Sequence, residues 1–264
     1  MRAIDLPFEL GMKGKYLGPG IQNIQRPLVL IVSVASHPIP PVAGGSYTKT
    51  IHLLAEGSDR LGYAVISGWH ERLEQFDKPL RGHYFALKSA NRMTRVIDSI
   101  PLTGKLKNLL LGSRTMRGWR YTGAVIAIAR KLRPGCVVVY DGPAMIPVLR
   151  KALGDIPLVL SQRGHSYFFE VAKHKGIYGK LDGLIVLSHR CAEFEFNRSC
   201  ELIPIVKVAY NFVDTDTFKP DLDVEKVQGL RSRFGLNGCK VIGIVGRQGL
   251  KRSSFNRALH ATNT

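Results

Sequence analysis

Short apolar runs alternate along this chain with longer segments in which apolar residues recur every three or four positions. The runs predict strands at 27–34, 63–67, 84–87, 136–140, 157–161, 183–187 and 206–210. The periodic segments predict helices at 48–61, 121–132, 144–153 and 190–197. Continuous apolar runs are typical of strands that are buried on both faces of a parallel sheet. This order therefore predicts an α/β fold with a doubly wound, Rossmann-like parallel sheet.

Ligands of such a sheet bind beyond the carboxyl ends of its strands, so the loops after the strands carry the candidate residues. Gly44 and Gly45 follow the first strand. Paired glycines let a ligand approach the backbone, and the next helix offers free N–H groups to an anion. The alternative is a tight strand-to-helix turn without a ligand.

Two further strand ends carry polar side chains. Asp141 follows the strand at 136–140. A carboxylate at a strand end can orient an acceptor hydroxyl or act as a base. The alternative is that Asp141 only forms the turn before Gly142. Arg163 and Gly164 follow the strand at 157–161, and Arg163 can hold a phosphate or a sugar hydroxyl. His165 is a weaker acid–base candidate. The alternatives are a surface cation for Arg163 and a non-catalytic role for His165.

The charge of the chain is strongly positive, at +18 from 38 Lys and Arg against 20 Asp and Glu. Leucines at 102, 106, 109 and 110 have helical spacing among cations, which predicts a basic amphipathic stretch suited to anionic lipid. The alternative is an ordinary helix with a solvated cationic face. The membrane-surface candidates are Lys105, Lys107, Arg114, Arg117, Trp119 and Arg120. No helix-turn-helix, zinc-finger or aromatic RNA-binding pattern is present, so we do not expect nucleic acid as the partner.

Several other classes of protein do not fit the sequence. No apolar run reaches the ~18 residues of a membrane span. The four cysteines form no C-x-x-C pair, and we expect no metal site. Residues 1–26 lack the apolar core of a signal peptide, so we expect a flexible leader there and a cytoplasmic protein.

The stretch 207–220, KVAYNFVDTDTFKP, joins an apolar strand to Asn, Asp and then Phe-x-Pro. After a charged linker, a second apolar strand at 241–245 ends in Gly246-Arg247. This arrangement resembles the domain junction of the retaining GT-B glycosyltransferases of glycosyltransferase family 4, with Phe212 where the family usually has Gly. The register from Gly44 and Gly45 through Leu61-Gly62 resembles the same family.

The resemblance implies an acceptor-side domain at 27–219, followed by a linker and the first strand of a donor-binding domain at 220–264. It also implies transfer of a sugar from a nucleotide-sugar to a saccharide or lipid-linked acceptor, without a bound cofactor. Arg247 and Lys251 match the cations that contact the donor diphosphate in that family. The family's donor-gripping Glu pair has no counterpart here, so we expect the isolated chain to be inactive and its residues after about 235 to pack poorly.

A different class of function is left open by the same residues. A basic Rossmann-like domain can serve as a non-catalytic module that binds an anionic membrane or a phosphorylated ligand. In that case the protein would be peripheral on the inner face of the membrane.

Overall fold

The computed structural model describes residues 14–19, 27–34, 37–42, 46–88, 116–163, 176–193, 205–215, 218 and 223–241, with the backbone alone at 116–119. The sequence-based site candidates that lie outside the described residues are Gly44, Gly45, Lys105, Lys107, Arg114, Gly164, His165, Arg247 and Lys251.

Within the described residues, eight strands form one sheet. They are β1 Gly14–Leu17, β2 Leu28–Val32, β3 Gly62–Gly68, β4 His83–Leu87, β5 Cys136–Tyr140, β6 Leu158–Gln162, β7 Gly183–Val186 and β8 Val206–Val208. Their order across the sheet is β1-β4-β3-β2-β5-β6-β7-β8. Every pair is parallel except β1 with β4. The chain winds outward from β2 in both directions, so the predicted fold class is confirmed as a Rossmann-like, doubly wound α/β sheet.

Three helices connect strands of the sheet, α1 Ser46–Gly57, α2 Met116–Leu132 and α3 Ile146–Leu153. A fourth, α4 Val224–Arg233, follows the last strand. Short 3₁₀ turns span Glu71–Gln75 and Pro143–Met145. The strand predicted at 136–140 agrees with β5 at both ends, and helix α2 begins five residues before the segment predicted at 121–132.

Two apolar cores lie on opposite faces of the sheet. Leu30 and Val32 of β2 pack in the core that also contains α2 and α3, whereas Ile31 packs in the core on the side of α1. Successive side chains of a strand point to opposite faces, so a five-residue apolar strand supplies both cores at once. This explains why β2 is apolar without interruption.

Strand β1 corrects one expectation. It lies in the part of the chain for which we expected a flexible leader, and it pairs antiparallel with β4 from Gly14 opposite Leu87 to Leu17 opposite Tyr84. Its side chains Tyr16 and Leu17 are buried. The pairing is favourable because these two side chains enter opposite cores. The main-chain N–H and C=O groups along the edge of β4 also gain hydrogen-bond partners from β1.

The chain divides into two compact units, Met1–Asp214 and Thr215–Thr264. In the second unit, α4 occupies a segment that we read as a charged linker. Asp223 caps this helix by accepting a hydrogen bond from the backbone nitrogen of Lys226 at 3.1 Å. None of the α4 side chains is buried. The strand predicted at 241–245 falls outside the described residues after Val241, which is exposed.

Candidate functional site

The carboxyl ends of β2, β5, β6 and β8 bring four residues to one edge of the sheet. Ser33 follows β2, Asp141 follows β5, Arg163 follows β6 and Ala209 follows β8. We call this edge the carboxyl edge. The winding direction reverses at β2, and open α/β sheets bind ligands in the crevice at such a reversal.

Asp141 forms the turn that leaves β5. Its φ is 50°, in the left-handed region that aspartate and asparagine tolerate better than other side chains do. Its backbone nitrogen donates to the carbonyl of Ser161 at 3.0 Å, and its Oδ1 accepts from the backbone nitrogen of Arg163 at 2.8 Å. In the part of the chain that the structure describes, no hydrogen bond reaches Oδ2. Asp141 therefore ties the end of β5 to the end of β6 and keeps one carboxylate oxygen available.

The guanidinium of Arg163 is held in place from three sides. Nε donates to Ser161 Oγ at 3.1 Å, and Nη1 donates to the carbonyl of Ala209 at 2.6 Å. The guanidinium carbon lies 5.5 Å from the centre of the Tyr140 ring, which is within the range of a cation–π contact. A guanidinium fixed in this way loses little side-chain freedom when it binds a phosphate or a hydroxyl.

Two buried hydroxyls lie at the end of β2 and the start of α1. Ser33 is completely buried, and its Oγ and the Tyr47 hydroxyl face each other as a loose pair outside ordinary hydrogen-bond geometry. The Tyr47 ring packs against the ring of His37, with centroids 4.8 Å apart. Burial raises the pKa of Tyr47, loose hydrogen bonding with the Ser33 side chain offsets part of that rise, and the charge of Asp141 adds to it. Tyr47 is therefore a neutral phenol within electrostatic reach of Asp141.

Tyr121 supports this region from the opposite core. Its hydroxyl donates to the carbonyl of Ser33 at 2.8 Å and lies 3.3 Å from the carbonyl of Ile66. Burial raises its pKa, so it stays a donor. Tyr121 therefore fixes the main chain of Ser33 at the end of β2.

The structure thus brings two of the sequence-predicted residues, Asp141 and Arg163, into direct contact. Arg117, Trp119 and Arg120 lie in α2, and of these three only the half-buried Arg120 has a described side chain. Sequence reasoning missed Ser33 and Tyr47. The signal that was present is a serine at the end of an apolar strand and a tyrosine in the first turn of the following helix.

Among the described residues, no three His, Cys, Asp or Glu side chains are grouped closely enough to hold a metal ion. None of the helices in the described ranges is both long enough and apolar enough to cross a membrane.

No protein-family model matches the chain, and no curated protein matches it. Among solved structures, the chain is similar to the N-terminal domain of trehalose-6-phosphate phosphatase from Candida albicans, with 12% identity, a TM-score of 0.46, and coverage of 82% of this chain and 56% of that one. It is also similar to TubZ of Clostridium botulinum phage c-st, with 8% identity, a TM-score of 0.35, and coverage of 84% and 63%. The chain thus spans less than two thirds of either structure, and likenesses this distant carry no functional argument.

Proposed function

We propose that the chain acts as the acceptor-side domain of a glycosyltransferase that moves a sugar from a nucleotide-sugar to a saccharide or lipid-linked acceptor. One observation carries the proposal. The guanidinium of Arg163 is fixed at the carboxyl edge by Ser161 and by the carbonyl of Ala209, where the junction motif at 207–220 leaves the sheet, and the backbone nitrogen of Arg163 donates to Asp141. The residues that resemble a glycosyltransferase junction and the polar residues of the edge therefore meet at one residue, Arg163.

The chemistry of sugar transfer suits these two groups. Departure of a nucleoside diphosphate leaves charge that a positioned guanidinium can neutralise. The sugar passes through an oxocarbenium-like state, and the acceptor hydroxyl needs a partner for its hydrogen. Oδ2 of Asp141, which carries no hydrogen bond among the described residues, can accept it.

The test is titration calorimetry of the chain against UDP, GDP and their glucose and mannose conjugates. We expect Arg163→Ala to weaken nucleotide-sugar binding by about tenfold or more, because hydrogen bonds to a charged partner contribute about 1.5–3 kcal/mol. Arg60→Ala is the matched control, since Arg60 is an exposed arginine in the loop before β3. Equal binding by both variants would refute the role of Arg163, and a folded wild-type chain that binds neither nucleotide-sugars nor acceptor saccharides would refute the proposal.

The basic binding module is the second candidate, and the charge of +18 favours it. Sedimentation with liposomes of increasing anionic-lipid content separates the two candidates. Lipid binding that falls steeply with salt, together with an absence of nucleotide-sugar binding, would support the module. Nucleotide-sugar binding that depends on Arg163 would support the glycosyltransferase.

A further inference from the structure

Strand β1 places Tyr16 against a buried histidine of β4. The Tyr16 hydroxyl lies 2.5 Å from Nδ1 of His83, and the two rings are stacked with their centroids 6.0 Å apart. Both side chains are buried. The Tyr16 hydroxyl donates to the carbonyl of Pro19, so its oxygen accepts the hydrogen on Nδ1 of His83. The docked strand therefore holds a neutral imidazole, and a second proton would have to bind at Nε2.

A proton on Nε2 would put a positive charge into a site that is shielded from water. Burial lowers the pKa of His83, because the charged imidazole loses its hydration there. Burial also raises the pKa of Tyr16 to about 12, so the phenol stays neutral. Undocking of β1 takes Tyr16 away from the imidazole and returns His83 toward water, where the pKa of a histidine is about 6.5. Acid therefore favours the undocked strand.

The charged groups of the neighbouring elements are engaged elsewhere or leave this balance unchanged. Lys15 of β1 donates to the carbonyl of Leu73 at 3.5 Å, and Glu56 of α1 accepts from the backbone nitrogen of Gly82 at 3.1 Å. Burial, and no charge on these elements, lowers the pKa of His83. The other titratable groups described around β4 are Lys49, His52, Asp59, Tyr63, Asp77, Lys78, Arg81, Tyr84, Lys88, Arg120, Arg130 and Lys131.

We propose that β1 is a strap released by acid, which stays docked on β4 while the His83 imidazole is neutral and detaches once the imidazole is protonated. Detachment is local, because β1 is the edge strand of the sheet and pairs only with β4. It leaves the parallel strands paired and frees the outer edge of β4. His83 begins β4 and lies away from the carboxyl edge, so the strap does not depend on the proposed function.

The direction of the pH effect follows from linkage. The undocked state binds the proton more tightly than the docked state does. Docking is therefore at full strength above about pH 6.5 and weakens as the pH falls below that value, until the pH reaches the lower docked pKa of His83.

The experiment is amide hydrogen exchange on the full chain, followed by mass spectrometry and corrected for the intrinsic exchange rate, which gives the opening constant of each segment. In the wild type we expect the constant for β1 to exceed that for the central strand β5, and to rise about threefold or more from about pH 7.5 to about pH 5.5. His83→Gln should abolish the rise. The matched control is His52→Gln, because burial also lowers the pKa of His52 and its Nδ1 also lies against a buried tyrosine, Tyr84, at 3.0 Å. This control should keep the rise.

Four results would overturn the strap. They are an opening constant of β1 that does not change with pH, a rise that survives His83→Gln, a rise that His52→Gln abolishes as well, and a single opening constant shared by β1 and β5. If His83→Gln does not fold, NMR titration of the His83 ring in the wild type replaces it. A midpoint below about 6.5 then supports the strap, and a midpoint at or above that value overturns it.

Discussion

Replacing Asp141 by alanine tests whether the turn after β5 depends on the aspartate side chain. The substitution has two costs. Asp141 has a φ of 50°, in the left-handed region. An alanine there has a Cβ but no polar group to compensate, which costs roughly 1–2 kcal/mol. The hydrogen bond from the Arg163 nitrogen to Oδ1 is also lost, at about 1 kcal/mol for a half-exposed carboxylate. We therefore expect a loss of about 2–3 kcal/mol in the free energy of unfolding.

Two other substitutions at the same position separate the two contributions. Asp141→Asn keeps both the tolerance for positive φ and the acceptor oxygen, so it should lie within about 1 kcal/mol of the wild type. Asp141→Gly removes the acceptor but has no Cβ to strain, so its stability should fall between those of the Asn and Ala variants. Urea denaturation followed by circular dichroism gives the order. An alanine variant as stable as the asparagine variant would refute the reasoning.

The asparagine variant also isolates the charge of Asp141 from its structural role. If the variant folds as the wild type does, weaker ligand binding than in the wild type reports on the carboxylate and not on the turn. This separation matters because the sequence left both roles open at this position.

Two further predictions concern stability. Leu149→Ala in α3 removes a completely buried side chain and should lower the free energy of unfolding by about 2–5 kcal/mol in urea denaturation. Burial tends to raise the pKa of Asp182, but the hydrogen bonds from the Leu158 nitrogen and from Arg150 outweigh it, so its folded pKa is lowered. This stabilisation is present above the unfolded pKa of about 3.9 and is lost as the pH falls through the lower folded value. Asp182→Asn should therefore lose less stability between about pH 5 and pH 3 than the wild type does; an unchanged acid dependence would contradict this.

The strands that lie inside the sheet were predictable because burial on both faces requires an apolar residue at every position. The segment CVVVY at 136–140 leaves no other interpretation, and β5 has those bounds. Strand β1 has only the four residues GKYL, and it is a strand because β4 offers a free edge. That free edge is a tertiary property that no local pattern encodes. Helix α4 was missed for the opposite reason, since it buries no side chain and so has no apolar face to detect.

The candidate site was predictable to the extent that it follows from topology. Asp141 and Arg163 stand directly after two apolar strands, and the rule for parallel sheets places such residues at one edge. The sequence indicated the positive φ of Asp141 only through its position before Gly142, since Asp-Gly is typical of turns. A Cβ on Gly142 would lie 2.5 Å from Met145 Cε and 3.2 Å from Val139 Cγ1, a close approach that appears only in three dimensions. The approach of the Ser33 and Tyr47 hydroxyls to each other is likewise invisible in a sequence, because it depends on how the end of β2 packs against the start of α1.

Arg163 connects the polar groups of the carboxyl edge to the chain that leaves it. Its Nη1 donates to Ala209, and the side chains that follow, Tyr210, Phe212 and Val213, are 60%, 42% and 63% exposed. If a ligand drew the guanidinium away from Ala209, the segment after β8 would lose this hydrogen bond and its free energy would rise. By linkage, a partner that holds the exposed apolar segment in place would then change the affinity of Arg163 for that ligand by the same factor. A ligand that leaves the bond to Ala209 intact would show no such coupling, because it would not distinguish the two states of the segment.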